Sequence, residues 1–301
     1  MFRNYCLLAA LLLSIAAFGK TKKSTATTDH HVIIIGIDGW GAFMVNEPSD
    51  IPNIRSVMNR GTYTLKKRTM LPSDSGRNWC EMFSGAPFSM TGLLDNDCTP
   101  KFQPVLQTEH GFWPTIFHEM RQQRPDSELG AILEWSSPLN MLDTLCLSHF
   151  ERVKDCHRGG REWLDRCSAY IKAKKPNLMF IHIDQVDGAM GVDSLTYFQT
   201  LEGVDKQIGE LLQAIREAGI YDQTTIVLTS DHGGDLVRKE HGESSLHEIE
   251  TPFIIAGPGI KKGGQLITDT MTQMDVTTTI AHYFGLTPPQ CWRGAVIDVF
   301  E

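Results

Sequence analysis

Residues 32–37, Val-Ile-Ile-Ile-Gly-Ile, form an unbroken and mostly β-branched apolar run. That pattern predicts a strand buried on both faces, not the alternation of a strand with one face in water. Comparable runs occupy 129–135, 178–183, 225–229 and 253–256, and a more polar stretch at 63–70 predicts a strand nearer a sheet edge. Between them, apolar residues recur at three- and four-residue spacing. The longest series is Leu195, Phe198, Leu201, Val204, Ile208, Leu211, Leu212 and Ile215, with Asp193 or Ser194 to cap its start and Gly219 to end it. Similar patterns over 51–60, 114–122, 160–173 and 275–284 predict further helices. Strands alternating with helices imply an α/β fold, a doubly wound and mostly parallel sheet with helices on both faces. No repeat, low-complexity tract or linker divides 31–301, which reads as a single domain.

The beginning of the chain follows a different pattern. Arg3 precedes an apolar run over 5–18, followed by Gly19 and the basic stretch Lys20-Thr21-Lys22-Lys23. The run is shorter than the roughly 20 residues of a membrane span. Its layout is that of a secretory signal, with Ala17-Phe18-Gly19 as the small-x-small cleavage site. Residues 1–19 are therefore expected to be a signal peptide and 20–30 a flexible mature start. The protein is expected to be periplasmic or secreted, with no membrane anchor after cleavage.

Charge and cysteine content narrow the function classes. The 28 Lys and Arg against 36 Asp and Glu give a net charge of −8 with no basic block, which argues against a nucleic-acid polymer as partner. An anionic small substrate stays compatible if metal ions supply local positive charge. Cys80, Cys98, Cys146, Cys156, Cys167 and Cys291 follow the leader, an even number that permits disulfides without specifying pairs.

The candidate chemistry collects where strands end. In an open parallel sheet, ligands bind beyond the carboxyl ends of the strands. Three runs here lead into Asp: Asp38, Asp184 with Asp187, and Asp231, with His232 directly after Asp231 and His241 on the next loop. Carboxylate and imidazole donors meeting at one sheet edge are the ligand set expected for zinc. His182 and His247 read as structural. Ser73, Asp74 and Ser75 open a helical stretch running through Met82 and Phe83; any of them can cap it. A serine there can also gain from helix N-terminal N–H groups that bind phosphoryl oxygens, and from a metal that lowers its hydroxyl pKa.

In that order, Ile35-Gly36-Ile37-Asp38-Gly39, Ser75-Gly76-Arg77-Asn78-Trp79, Asp184-Gln185-Val186-Asp187, Ser230-Asp231-His232-Gly233-Gly234 and His241-Gly242 before 251–258 resemble the alkaline phosphatase superfamily. The nearest branch is that of type I phosphodiesterases and nucleotide pyrophosphatases, over nearly all of 32–300. The resemblance implies an exported, metal-dependent phosphoester hydrolase acting on a small phosphoester. Ser75 would be the nucleophile and, with Asp38, Asp231 and His232, a ligand of one metal, and Asp187 and His241 would be ligands of a second. Asn78 would donate to a phosphoryl oxygen. Two divalent cations are implied, with zinc favoured by the donor set.

Two positions depart from the family pattern. Gly191 stands where an Asp-x-x-Gly-His motif places its histidine, and Thr91 stands before Gly92 where relatives carry His. The first metal site is complete and the second lacks one of three ligands. The rival functions are a sulfatase-like ester hydrolase and a non-catalytic protein that binds metal or a phospho-ligand. A sulfatase would need a Cys/Ser-x-Pro/Ala-x-Arg motif, which Ser75-Gly76-Arg77-Asn78-Trp79 does not supply. The leaving-group pocket is expected from the irregular segments 95–109 and 136–157.

Overall fold

The computed structural model describes residues 30–46, 49–135, 140–153 and 159–301. The expected signal peptide, nearly all of the expected mature start and part of the irregular segment 136–157 lie outside them. Among the described residues, no helix is long and apolar enough to cross a membrane. The strands are β1 (His31–Ile37), β2 (Thr62–Arg68), β3 (Leu129–Leu133), β4 (His149–Arg152), β5 (Leu178–Ile183), β6 (Thr224–Thr229), β7 (Glu250–Ala256) and β8 (Gln265–Leu266). They form one sheet in the order β4-β3-β5-β1-β6-β7-β2-β8. From β4 to β6 every pairing is parallel; β7 runs antiparallel to both β6 and β2. The β4 and β8 strands are short and carry no apolar run, so periodicity does not predict them.

The helices are α1 (Phe43–Asn46), α2 (Pro52–Arg60), α3 (Ser75–Ser84), α4 (Phe88–Thr91), α5 (Ile116–Gln123), α6 (Glu162–Lys174), α7 (Gln185–Met190), α8 (Ser194–Glu217), α9 (Leu246–Ile249) and α10 (Met274–Tyr283). Alternation along β1 sorts its side chains between two cores. Ile33, Ile35 and Ile37 pack with residues of α2, α6 and α8. Val32 and Ile34 pack on the other face with α3, α5 and α10. Full burial of each such isoleucine contributes about 1.5–3 kcal/mol, so the two-sided run explains why β1 lies at the centre. Gly36 shares the face of Val32 and Ile34. A Cβ there would lie 2.5 Å from the Trp79 ring, so glycine is what lets Trp79 of α3 settle against the strand.

The described cysteines Cys80, Cys98, Cys146, Cys167 and Cys291 are all free thiols, so none of the disulfides that the even count permits is formed among them. Cys156 lies outside the described residues. Among the described residues, the packing of two cores, not cross-linking, holds this fold.

One buried acid in α3 strains this core. Glu81 is fully buried; Oε1 accepts from the Phe88 N–H at 3.3 Å, and Oε2 has no hydrogen-bond partner. Burial pushes its carboxyl from 4.5 up to about 8. The folded state thus holds a proton that the unfolded chain releases, and stability falls as pH rises from about 4.5 to about 8. Glu81→Gln is expected to remove that slope. It should also raise stability at about pH 8 by about 1–3 kcal/mol, since each tenfold difference in proton affinity between the folded and unfolded chain is worth about 1.4 kcal/mol. Denaturant midpoints of both proteins at about pH 5 and about pH 8 test it; equal pH slopes would refute it.

Candidate functional site

Strand register alone brings three carboxylates together. Ile37 pairs with Ile183, and Gly36 with Thr229, so the residues that follow β1, β5 and β6 leave the sheet side by side. The Asp38 N–H donates to the Ile183 carbonyl at 2.8 Å, which extends the ladder one step and fixes the turn. Asp38, Asp184 and Asp231 therefore share one edge, the first and last of them buried.

Loops then add the remaining groups. Ser75 is the first residue of α3, and its Oγ lies 3.2 Å from Asp38 Oδ1 and 3.0 Å from His232 Nε2. His232 Nε2 in turn lies 3.4 Å from both Asp38 Oδ1 and Asp231 Oδ2. Asp187 sits in the first turn of α7, a short helix that the sequence pattern does not predict. His241 reaches it across the loop after β6, with Nε2 3.6 Å from Asp187 Oδ1, and its ring stacks on His232 at 4.0 Å. Ser73 anchors this loop: its Oγ donates to the Glu243 carbonyl and accepts from the Gly242 N–H. Its hydroxyl is thereby committed to structure, while that of Ser75 faces the cluster.

The donor set fits divalent cations. Asp38, Asp231 and His232 offer ligand atoms within 4.8 Å of one another, and so do Asp187, His232 and His241. Both imidazoles are oriented for ligation. His232 Nδ1–H donates to the Gly233 carbonyl at 2.9 Å and His241 Nδ1–H to the Ser73 carbonyl at 3.0 Å, which leaves each Nε2 as a bare lone pair. Asp231 Oδ2 and Asp187 Oδ1 are buried without any hydrogen-bond partner. Lone pairs facing lone pairs in a buried site are unfavourable unless a cation lies between them.

The titration behaviour has the same cause. Burial and the nearby Asp38 charge raise Asp187 to about 6 and push Asp231 well up. Asp184 is likewise raised to about 6 by burial and Asp38. Asp38 goes the other way: against the upward push of burial, the hydrogen bonds from His182 and Trp79 and the nearby His232 hold its carboxyl well below the usual range. Trp79 Nε1 donates to Asp38 Oδ2 at 2.9 Å, and His182 Nε2 approaches the same oxygen at 2.9 Å. His182 is thus an outer partner that orients Asp38, in keeping with its structural reading; His247 packs its ring against Phe43.

Lys67 is a further part of the site that the sequence does not reveal. The pairing of β2 with β7 shifts register between Thr64 and Lys67, and this irregularity turns Lys67 to the buried face. Its ammonium donates to the Ser230 carbonyl at 2.6 Å and to Gln273, whose amide also holds the Asp231 carbonyl at 2.6 Å. Burial lowers its pKa to about 7, against the opposing pull of Asp231 and Asp275. One lysine in a polar strand looks like a solvated charge; only the bulge makes it a buried clamp on the ligand loop.

Two expectations about α3 need correction. Asn78 does not reach the cluster. It is fully buried, with Oδ1 accepting from the Met70 N–H at 2.8 Å and Nδ2 donating to the Asp74 and Met70 carbonyls at 2.8 and 3.1 Å. Every polar atom of that amide ties the loop before α3 to the helix. Nor does the helix start offer the expected row of open N–H groups, since Gly76 N–H donates to Asn96 Oδ1 at 2.8 Å and Arg77 N–H to the capping Asp74. Asn96 sits against the residue after Ser75, with no hydrogen bond from its NH2 among the described residues. A Cβ on Gly76 would lie 2.3 Å from the Asn96 carbonyl oxygen, so glycine is required for this approach. The glycine after Ser75 is the only local hint, and it does not identify which distant residue approaches.

Around Gly191 the structure supplies no substitute ligand among the described residues. Asp193 caps α8, accepting from Thr196 N–H at 2.7 Å and from Thr196 Oγ1 at 2.9 Å. Met190 is buried with its sulfur packed against Gly234. Gly191 itself has φ −64°, and a Cβ there would meet only the Lys239 carbonyl, at 3.9 Å. Thr91 donates to the Phe88 carbonyl and touches the Cys80 thiol. Both Thr91 and Cys80 line an apolar cavity of about 170 Å³, with Leu93, Phe102, Trp113 and Met141, that contains none of the Asp/His cluster.

Comparisons with known proteins bear on the family and the fold. Residues 32–251 match the family described as type I phosphodiesterase / nucleotide pyrophosphatase. A phosphopentomutase of Erwinia tasmaniensis is 33% identical over 116 residues, covering 37% of this chain and 26% of that protein. Arylsulfatase K of Homo sapiens is 26% identical over 284 residues, 91% of this chain and 47% of that protein. The chain spans less than half the length of either curated relative. Among solved structures, murine ectonucleotide pyrophosphatase / phosphodiesterase 5 superposes with a TM-score of 0.69 at 14% identity, over 88% of this chain and 97% of that one. The shared architecture is the mostly parallel, helix-covered sheet of the alkaline phosphatase-like fold.

The two asparagines are expected to separate cleanly. Asn78→Ala should cost about 1–3 kcal/mol of stability, because it leaves buried backbone groups without partners. Asn96→Ala, which removes one acceptor from the Gly76 N–H, should cost less stability than Asn78→Ala yet slow ester hydrolysis by about ten- to a thousandfold, the range for a lost oxyanion donor. Denaturation curves and turnover of both variants decide it; a stable, slow Asn78→Ala beside a fully active Asn96→Ala would reverse the assignment.

Proposed function

This chain belongs to the type I phosphodiesterase/nucleotide pyrophosphatase family, and on that premise we propose that it is an exported, metal-dependent phosphoester hydrolase with Ser75 as its nucleophile. The observation that carries the reading is the Ser75 hydroxyl set 3.2 Å from Asp38 Oδ1 and 3.0 Å from His232 Nε2, beside the unpartnered Asp231 carboxylate oxygen. Asp38, Asp231 and His232 would hold the cation that lowers the serine pKa, and Asp187 and His241 a second. Bound there, divalent cations supply positive charge for the attacking and leaving oxygens of an in-line displacement.

The chain's own residues account for the rest. Ser75 Oγ attacks phosphorus as its proton is released to solvent, and the alcohol or phosphate leaving group departs opposite, taking up a proton from solvent. A phosphoseryl group on Ser75 results, and water hydrolyses it to regenerate the hydroxyl. The amide NH2 of Asn96 would donate to a phosphoryl oxygen as charge develops. Trp79 and His182 keep the Asp38 carboxylate ionised and aimed, and Lys67 with Gln273 fixes the turn that carries Asp231. The 1–19 sequence pattern supports export. Sulfate-ester hydrolysis is the second reading, favoured by the similarity to arylsulfatase K; the absence of the maturation motif around Ser75 weighs against it.

Ser75→Ala is expected to abolish turnover of phosphate mono- and diesters while leaving bound metal in place. Asp231→Asn and His232→Ala should lose metal and activity together. A panel of phosphomonoester, phosphodiester and sulfate ester substrates, assayed with added zinc or manganese, separates the two readings: hydrolysis of the sulfate ester alone would overturn the first.

The second metal, with two ligands in place of three, should bind more weakly and be lost on dialysis. Since Gly191 has ordinary helical φ and open space, Gly191→His should be tolerated and should tighten that metal by about tenfold or more. Metal titrations of the two proteins check it; two metals retained by the unaltered protein through dialysis would refute the weak-site reading.

A further inference from the structure

A second group of metal-ligating side chains lies apart from the Asp/His cluster, where the turn at 108–112 meets the 3-10 turn Thr144–Cys146. His110 Nδ1 lies 2.6 Å from Asp143 Oδ2, and the Cys146 thiol lies 3.4 Å from the same oxygen. The sequence produces this directly. Asp143 caps the 3-10 turn by accepting from the Leu145 N–H at 3.1 Å, and side chains three residues apart eclipse in such a turn, so Asp143 and Cys146 project together. His110 closes the triad from the facing turn. Asp143 and Cys146 are each 1% exposed, whereas the His110 side chain is 29% exposed and can move.

From this geometry we propose a structural zinc-class site formed by His110 Nδ1, Asp143 Oδ2 and the Cys146 thiolate, separate from the catalytic centre. One nitrogen, one oxygen and one sulfur donor suit a borderline-soft divalent cation. At tetrahedral angles, zinc bond lengths place the oxygen and sulfur about 3.5 Å apart and the oxygen and nitrogen about 3.3 Å apart. The Asp143–Cys146 separation of 3.4 Å already fits, and the His110–Asp143 separation of 2.6 Å must open by about 0.7 Å. The neighbouring Gly111 has open space around it, so this turn has room to yield. Asp143 Oδ1, held by Leu145 N–H, supplies the outer hydrogen bond that orients a ligating carboxylate. Metal entry expels to solvent the thiol proton and the proton held between His110 Nδ1 and Asp143 Oδ2, and the neutral imidazole then carries its proton on Nε2.

The groups around the triad are of mixed charge. Glu109 lies beside it, paired with His118 at 3.2 Å, and Arg121 donates to the Cys146 carbonyl at 3.0 Å. Water can fill the fourth position. Occupancy would pin the 108–112 turn to the segment carrying Asn140 and Met141. Gly111, Asn140 and Met141 all line the apolar cavity, so the site fixes one wall of it.

Cobalt(II) gives a test that the catalytic centre cannot mimic, because its Asp, His and Ser donors contain no sulfur. Titrating the full-length protein with cobalt should produce a near-ultraviolet thiolate-to-cobalt charge-transfer band whose limiting intensity corresponds to about one thiolate-bound cobalt per chain. The band should persist in Asp231→Asn, in which the catalytic centre is disabled. It should vanish in Cys146→Ser, and His110→Ala should raise the half-saturating cobalt concentration at least about tenfold. His110 is partly exposed, so its removal is not expected to prevent folding. A wild-type protein with no such band at saturating cobalt, or a band that survives in Cys146→Ser, would overturn the proposal. Loss of ester hydrolysis in Ser75→Ala bears only on the catalytic reading, so the two can fail independently.

Discussion

The parallel register of β1 with β5 and β6 is the constraint on which the site depends. Ile37 opposite Ile183 and Gly36 opposite Thr229 oblige three neighbouring strand ends to deliver Asp38, Asp184 and Asp231 to one level of one edge. A slip of one residue would turn alternate isoleucines of β1 to the wrong core and move every carboxylate off that level. The apolar pattern that builds the two cores therefore also places the ligands. Core packing and site geometry are one specification.

Gathering carboxylates in a buried place is costly, and the surrounding residues respond to that cost. Trp79 and His182 hold one carboxylate ionised through hydrogen bonds to Asp38 Oδ2, while Asp187 and Asp231 are pushed upward by burial and by that same charge. Lys67 clamps the loop of Asp231 from behind through its hydrogen bond to the Ser230 carbonyl, without a direct ion pair. This compensation stops short of neutrality, and the unpartnered oxygens of Asp187 and Asp231 mark where positive charge is still missing. Gly36 belongs to the same arrangement, because its missing side chain is what admits Trp79.

The misplacement of Asn78 and the silence of the sequence about Asn96 have a common physical origin. Both flank Ser75, one by sequence and one by space. A side chain three residues along a helix from Ser75 looks well placed on a helical projection, but the loop over 70–74 folds back on α3 and absorbs the Asn78 amide completely. Asn96 arrives from an irregular segment that no periodicity describes, against a glycine whose small size is its only advertisement. Lys67 is hidden for a similar reason. A strand reads with period two until a bulge reverses its faces, and the bulge is set by pairing with β7, not by β2 alone.

By itself, the sequence determined the sheet-and-helix alternation, the buried central strands, the long α8 with its Asp193 cap and the set of acids and histidines at the strand ends. These follow from hydrophobic period and from the tendency of polar residues to stand where apolar runs stop, both local properties. Family motifs added the order of those residues and the gap at Gly191. Tertiary structure alone decided which asparagine stands beside Ser75, that the described thiols stay unpaired, and that His110, Asp143 and Cys146 meet. Each of these depends on two segments far apart in the chain, and their approach is fixed by packing against a third.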